Sequence, residues 1–286
     1  MGLLELFDGE LEKIRLQKLL FLFCQKQAKP DYEFIPYKYG CFSYSANADL
    51  ATMVKKEQLS ENTSSFLKSD KTKYFSSLKE DDKLALRKIK ASYGSMSTNA
   101  LMKLTYQKYP FWALNSLKAK SILSTEEMAQ VERSRPVNDK TILYTIGYEG
   151  NSLENYLNRL IENDIKILVD VRNNPLSMKY GFSKNQLKRY CESLGIGYFH
   201  FPDVGIVSEK RQELNIQADY DKLFEEYRIK NLPHTKKTQN VIFELLLKHK
   251  RIALTCFESQ HCQCHRAHLA DAIKALPGFN YEIKHI

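Results

Sequence analysis

The segment Cys256-Phe257-Glu258-Ser259-Gln260-His261-Cys262-Gln263-Cys264-His265-Arg266 gathers three thiols, two imidazoles, a carboxylate and a guanidinium. Three chemistries suit it, and the spacing leaves them open. Thiolate and imidazole are the donors zinc prefers. However, the paired two-residue knuckles of ordinary zinc folds are missing and Cys262 and Cys264 stand only two apart, so no residue is assigned to a metal. A reactive thiol is the second chemistry. Cys264 opens a helix, where free N–H groups and the helix dipole stabilise a thiolate, and His265 and Arg266 would lower its pKa further. In the third, the thiols are small apolar fillers at a strand end and Arg266 pairs with Asp170 or Glu258, which suits Cys256 especially.

Other groups could hold an anion. Gly147-Tyr148-Glu149-Gly150-Asn151-Ser152 opens a helix and offers backbone amides. Arg172, with Lys210 and Arg211 later in the chain, adds the charge a phosphate or carboxylate needs. Several familiar motifs are absent. A thiolate phosphatase or sulfurtransferase loop needs Arg at the sixth position after Cys256, where this chain has Cys262. There is no Gly-x-Gly-x-x-Gly, Walker loop or Gly-x-Ser-x-Gly. The pairs Lys55-Lys56 and Lys236-Lys237 read as solvated faces. The aromatic run Tyr106–Trp112 reads as packing between elements rather than as a stacking platform for bases.

The elements that must position these groups change style near residues 133–141. Before that point the pattern is mainly helical: Glu10–Ala28, Ser45–Glu57, Asp81–Tyr93, Thr98–Lys108 and a capping box at Ser124-Thr125-Glu126-Glu127. A polar hairpin or wing is expected over Ser60–Tyr74. After Lys140, strands alternate with helices. The strands are Thr141–Tyr144, followed by a turn at Ile146–Asn151, then Lys166–Val171, Gly197–Phe201, Arg251–Phe257 and a closing Tyr281–Ile286. Helices are expected over Ser152–Asn163, Ser183–Ser193 with a second capping box (Ser183 to Gln186), Asp219–Lys230, Val241–His249 and Cys264–Lys274. Such alternation implies βαβ units around a mainly parallel sheet with helices on both faces, an α/β Rossmann-like domain over residues 140–286 preceded by a mainly α domain over 1–135. Ligands of open α/β sheets bind beyond the carboxyl ends of the strands. Those ends carry Gly147, Tyr148 and Glu149, then Asp170 and Arg172, then His200 and Asp203, then Cys256 and Glu258.

The composition is that of a globular protein, with 43% hydrophobic and 27% charged residues. No apolar run reaches a membrane span, no signal peptide is recognisable, and six cysteines do not form a disulfide framework, so a cytoplasmic location and no membrane partner are expected. The net charge of +9 is shared: 22 basic against 17 acidic residues before residue 140, and 21 against 17 from residue 140 onward. That balance favours encounter with polyanions.

Thr145-Ile146-Gly147-Tyr148-Glu149-Gly150, Val169-Asp170-Val171-Arg172-Asn173-Asn174-Pro175-Leu176-Ser177 and Cys256-Phe257-Glu258…Cys264-His265-Arg266 together resemble domain-of-unknown-function family 488 over residues 141–275. The pattern there is a Thr-Ile-Gly strand end, an Asp-Val-Arg-x-x-Pro-x-Ser loop and a Cys…Cys-His-Arg segment. Cys262 is extra to it, and Gly205-Ile206 stands where Gly-Gly is common. The resemblance implies a Rossmann-like fold and adds Ser177 to the candidates. The stretch Leu16–Phe21, with Pro36-Tyr37-Lys38-Tyr39-Gly40-Cys41-Phe42-Ser43, is similar to winged-helix domains of the SocA/Panacea antitoxin kind.

The leading expectation is a nucleotide- or nucleic-acid-related enzyme or ligand-binding protein, its partner being nucleic acid or a phosphate-bearing small molecule. Gly147, Tyr148, Arg172, Ser177, His200 and Arg266 would bind that partner. Glu258, Asp170 or His265 would supply acid/base function and Cys264 would act as the nucleophile. No cofactor is assigned. The alternative is a non-enzymatic DNA-binding regulator or defence-associated sensor that uses the winged-helix-like domain.

Overall fold

The computed structural model describes residues 1–207, 217–260 and 263–286. Ser208, Glu209, Lys210, Arg211, His261 and Cys262 lie outside the described residues. The chain divides into two compact units, Met1–Arg135 and Pro136–Ile286.

The first unit runs α1 (Gly2–Leu6), β1 (Glu10–Glu12), α2 (Lys13–Cys24), β2 (Ile35–Tyr37), β3 (Gly40–Phe42), α3 (Tyr44–Lys55), β4 (Leu59–Glu61), β5 (Ser65–Lys68), α4 (Glu80–Tyr93), α5 (Thr98–Lys108), α6 (Ala119–Ile122) and α7 (Thr125–Arg133). Strands β1, β5 and β4 form an antiparallel sheet in that order, and β2 pairs with β3. The helix expected from Glu10 begins at Lys13 instead. Glu10–Glu12 alternates exposed, buried, exposed and pairs with β5, so a tertiary partner overrides the helical pattern. At Ser124 the capping box is made, its hydroxyl accepting from the Glu127 amide while the Glu127 carboxylate accepts from the Ser124 amide. The aromatic run packs inward: Tyr106 is buried, and Tyr109 and Trp112 meet Phe21 edge-on at 5.1 and 5.5 Å.

The second unit alternates β6 (Ile142–Gly147), α8 (Leu153–Glu162), β7 (Ile167–Asp170), α9 (Lys184–Ser193), β8 (Gly197–His200), α10 (Gln217–Glu226), α11 (Lys236–His249), β9 (Arg251–Cys256), α12 (His265–Lys274) and β10 (Glu282–His285). The five strands form one parallel Rossmann-like sheet in the order β10-β6-β9-β7-β8. Every residue of β6, β7 and β9 is buried, as a sheet covered on both faces requires. Alternate residues Val169, Ile252, Leu254 and Cys256 join the core that holds Ile242, Leu246, Leu269 and Ile273 of α11 and α12. On the opposite face Tyr156 of α8 donates to the Thr255 hydroxyl at 2.7 Å.

Helix α8 shows why the sequence folds this way locally. Ser152 accepts from the Asn155 amide at its start, Leu153, Tyr156, Leu157 and Leu160 line one buried stripe, and Asp164 at φ 52° ends it. Burying each leucine contributes about 1.5–3 kcal/mol.

Candidate functional site

The register of the sheet brings the strand ends together. Gly147 of β6 is level with Cys256 of β9, and Asp170 of β7 is level with Thr255 of β9 and His200 of β8. Beyond these ends opens a cavity of about 320 Å³. Its wall includes Tyr148 after β6, Arg172, Asn173, Asn174, Leu176, Ser177 and Met178 after β7, Ile206 after β8, Cys256 and Phe257 at the end of β9, and His265 of α12. Of the sequence-derived candidates, Tyr148, Arg172, Ser177 and His265 therefore line the cavity. Gly147, Asp170, His200, Glu258, Cys264 and Arg266 do not, and stand behind it.

Asp170 and Arg172 form a buried ion pair. Arg172 donates from Nε to Asp170 Oδ1 at 2.8 Å and from Nη2 to Oδ2 at 2.5 Å, and its amide also reaches Oδ1 at 3.1 Å. Nη1 donates to the Tyr148 hydroxyl and the Phe182 carbonyl at 2.9 and 2.8 Å. Burial opposes the guanidinium charge, but the bonds and charge of Asp170 outweigh it and raise the pKa. Tyr198 donates to Asp170 Oδ2 at 2.5 Å, and burial with the Asp170 charge pushes the phenol up. With Tyr198 also hydrogen-bonded to the guanidinium, the donors of Arg172 are engaged within the protein and its charge is answered by Asp170. Its main effect is to fix Tyr148, whose ring stacks on Phe182 at 4.3 Å and meets Phe257 edge-on at 5.4 Å.

The loop after β7 is folded back on itself. The Ser183 hydroxyl donates to the Ser177 carbonyl at 2.9 Å and accepts from the Ser177 amide at 3.3 Å. The expected capping box at Ser183 is consequently not made, because its oxygen serves the loop instead of the helix end. His200 Nε2 donates to the Arg172 carbonyl at 2.8 Å, bracing the same loop.

The loop after β9 is tied to β6. The amides of Tyr148 and Glu149 donate to the Phe257 carbonyl at 3.1 and 2.8 Å, and the Ser259 amide donates to Glu149 at 3.0 Å. A Cβ on Gly147 would lie 1.8 Å from the Glu258 carbonyl oxygen, so only glycine permits this approach. Arg266, buried, donates to the Glu258 and Ser259 carbonyls at 2.5 and 3.0 Å and holds the loop from below.

Cys264 is the N-cap of α12, with His265 its first residue. His265 Nε2 donates to the Val171 carbonyl at 3.0 Å, which turns Nδ1 toward Cys256 Sγ at 3.7 Å and Cys264 Sγ at 3.9 Å. All three side chains are buried. Burial pushes the Cys264 thiol well above its ordinary value, and the neighbouring Cys256 adds to the rise. The helix start was expected to favour a thiolate, but in this structure desolvation is the larger effect.

Sequence reasoning passed over Tyr198 and the cavity residues Asn173, Asn174 and Ile206. Tyr198 had a usable signal: it stands two residues before His200 on β8, hence on the same face. Of the three motifs that carry the family resemblance, the Asp-Val-Arg loop and the Cys-His-Arg segment build this site directly. No curated protein and no solved structure matches the chain. Both of those motifs fall within residues 152–273, which match the family described as Domain of unknown function DUF488.

Proposed function

We propose that the second unit is a nucleotide- or nucleic-acid-directed enzyme or ligand-binding module that takes its ligand in the cavity at the carboxyl edge of the sheet. The observation that carries the reading is the rim. Leu176, Met178 and Phe257 are 77%, 104% and 43% exposed in a wall that also holds the polar residues Asn174, Ser177 and Arg172. Exposed apolar surface over a few convergent polar groups suits a planar base attached to a polar or anionic group. In this reading Phe257 stacks on the base, while Ser177 and Asn174 meet the polar part.

Binding is measured on the full chain with mononucleotides and single-stranded oligonucleotides. Phe257→Ala is expected to weaken the best of them about tenfold or more, as loss of one stacking contact should. Failure of every nucleotide and oligonucleotide to bind, or an unchanged affinity in the variant, overturns the assignment.

A second reading concerns the first unit, and its strand order favours it. A strand β1 after the first helix pairs with the far strand of the β4–β5 hairpin, and α3 immediately precedes that hairpin. This order supports a winged-helix reading in which α3 takes the recognition position, with Lys55 and Lys56 exposed at its end. A DNA-binding regulator of this kind would show duplex affinity that falls steeply with salt and weakens when Lys55 and Lys56 are both replaced by glutamate. Salt-independent binding, or none, removes this reading.

A further inference from the structure

Cys256, Cys264 and His265 converge on one point. Their donor atoms, two Sγ and one Nδ1, lie within 4.8 Å of one another, and all three residues are buried. Core packing accounts for buried thiols, but not for two of them facing the same imidazole nitrogen. The geometry matches an ion held between them. Tetrahedral zinc at about 2.3 Å from sulfur and about 2.0–2.1 Å from nitrogen sets neighbouring donors about 3.6–3.8 Å apart. The thiols stand 3.7 and 3.9 Å from Nδ1. The outer contacts agree as well. A zinc-bound histidine donates its second N–H to a carbonyl or carboxylate, which fixes the ring. Here Nε2 donates to the Val171 carbonyl, and the Tyr227 ring meets the imidazole edge-on at 5.6 Å. The three positions are set by regular structure, since Cys256 ends β9 and Cys264 and His265 begin α12.

We propose that Cys256, Cys264 and His265 bind one zinc ion through Sγ, Sγ and Nδ1. The two thiols release their protons to solvent as the metal enters and bind it as thiolates. Among the described residues no fourth donor joins the three, and because Cys256 and His265 border the cavity the fourth position is assigned to a water or a ligand atom on that side. Three protein donors and one open position are the arrangement of a catalytic or ligand-binding zinc rather than a purely structural one. The proposal does not depend on the ligand being a nucleotide, because its test measures only the metal.

The full chain, purified without chelator, is assayed for metal content, and a chelator-stripped sample is reloaded with zinc or cobalt(II). About one equivalent of zinc is expected. Cobalt is expected to give the visible bands of a tetrahedral site with thiolate charge transfer, and X-ray absorption of the zinc form to show sulfur and imidazole neighbours. Cys256→Ser, Cys264→Ser and His265→Gln should each lose metal affinity by about tenfold or more. Cys191→Ser, which alters a buried thiol on α9, should not. The wild-type spectra carry the test even if a variant fails to fold. A wild-type chain that takes up neither metal, a first shell of oxygen alone, or full retention of metal by the three variants overturns the proposal.

Discussion

Replacing Asp170 by Asn removes one charge and changes little in volume, so it isolates the electrostatics of the pair. Asp170 is 0% exposed and Arg172 5%, so the pair is largely shielded from water. In the wild type Oδ2 accepts from Arg172 Nη2 and from the Tyr198 hydroxyl, both at 2.5 Å. An amide can satisfy Oδ1 but turns an NH2 toward two donors at the other position. Breaking a buried pair by removing one partner costs about 3–5 kcal/mol. At roughly 2 kcal/mol per molar of urea, that lowers the midpoint of the second unit by roughly 2 M. The single tryptophan, Trp112, lies in the first unit, so hydrogen exchange of β7 and β9 peptides is the appropriate probe. Adding Arg172→Met to Asp170→Asn removes the orphaned charge and should recover at least about 2 kcal/mol. A loss under about 1 kcal/mol for Asp170→Asn alone, or no recovery in the double variant, would show that the pair is screened and refute the argument.

Two further outcomes follow from single contacts. Gly147→Ala must displace the Glu258 carbonyl, and overpacking of this kind costs about 1–3 kcal/mol, visible as a lower melting temperature of the second unit together with lost binding in the cavity; an unchanged melting temperature would mean the two loops are not in contact. Lys18, buried in the first unit, donates to the Cys41 carbonyl at 2.8 Å, and burial lowers its pKa below the ordinary 10.5. The unfolded lysine therefore binds a proton that the folded one resists. Stability gained from this residue rises as pH climbs from the lowered value toward 10.5, by up to about 1.4 kcal/mol per pH unit. Urea unfolding followed by Trp112 fluorescence should show wild type gaining on Lys18→Met through that window, and a flat difference would contradict the assigned shift.

Much of the sheet was legible because doubly covered strands read as continuous apolar runs, as Lys166–Val171 and Arg251–Phe257 do. The end of β6 was not. Gly147 signals a turn by composition, yet it is paired strand, and the cause is a carbonyl more than a hundred residues away. Glu10–Glu12 was hidden for the same reason: its partner β5 lies far along the chain. Strand order was also illegible, since nothing local indicates that β9 enters between β6 and β7. For the site, residue types marked the right loops. What they could not distinguish was a side chain that faces the cavity from one that braces it: Arg172 and Arg266 look alike in sequence, but one lines the cavity and the other ties down a loop.

The position of β9 explains how two kinds of chemistry come to share one sheet edge. Register sets Cys256 beside Gly147, and Thr255 beside Asp170. Because side chains alternate along a strand, Thr255 and Asp170 face α8 while Cys256 faces α12. The ion pair and the thiol–imidazole cluster are thereby kept on opposite faces of the sheet and cannot neutralise one another. Two consecutive residues connect them. The Val171 carbonyl accepts from His265, and Arg172, next in the chain, engages Asp170 with its side chain and His200 with its carbonyl. A shift of this backbone by a fraction of an ångström would alter the aim of His265 and the position of Tyr148 together. The Asp170–Arg172 pair is therefore best understood as the clamp that holds the Val171–Arg172 peptide in place, with the cavity chemistry left to the groups on either side of it.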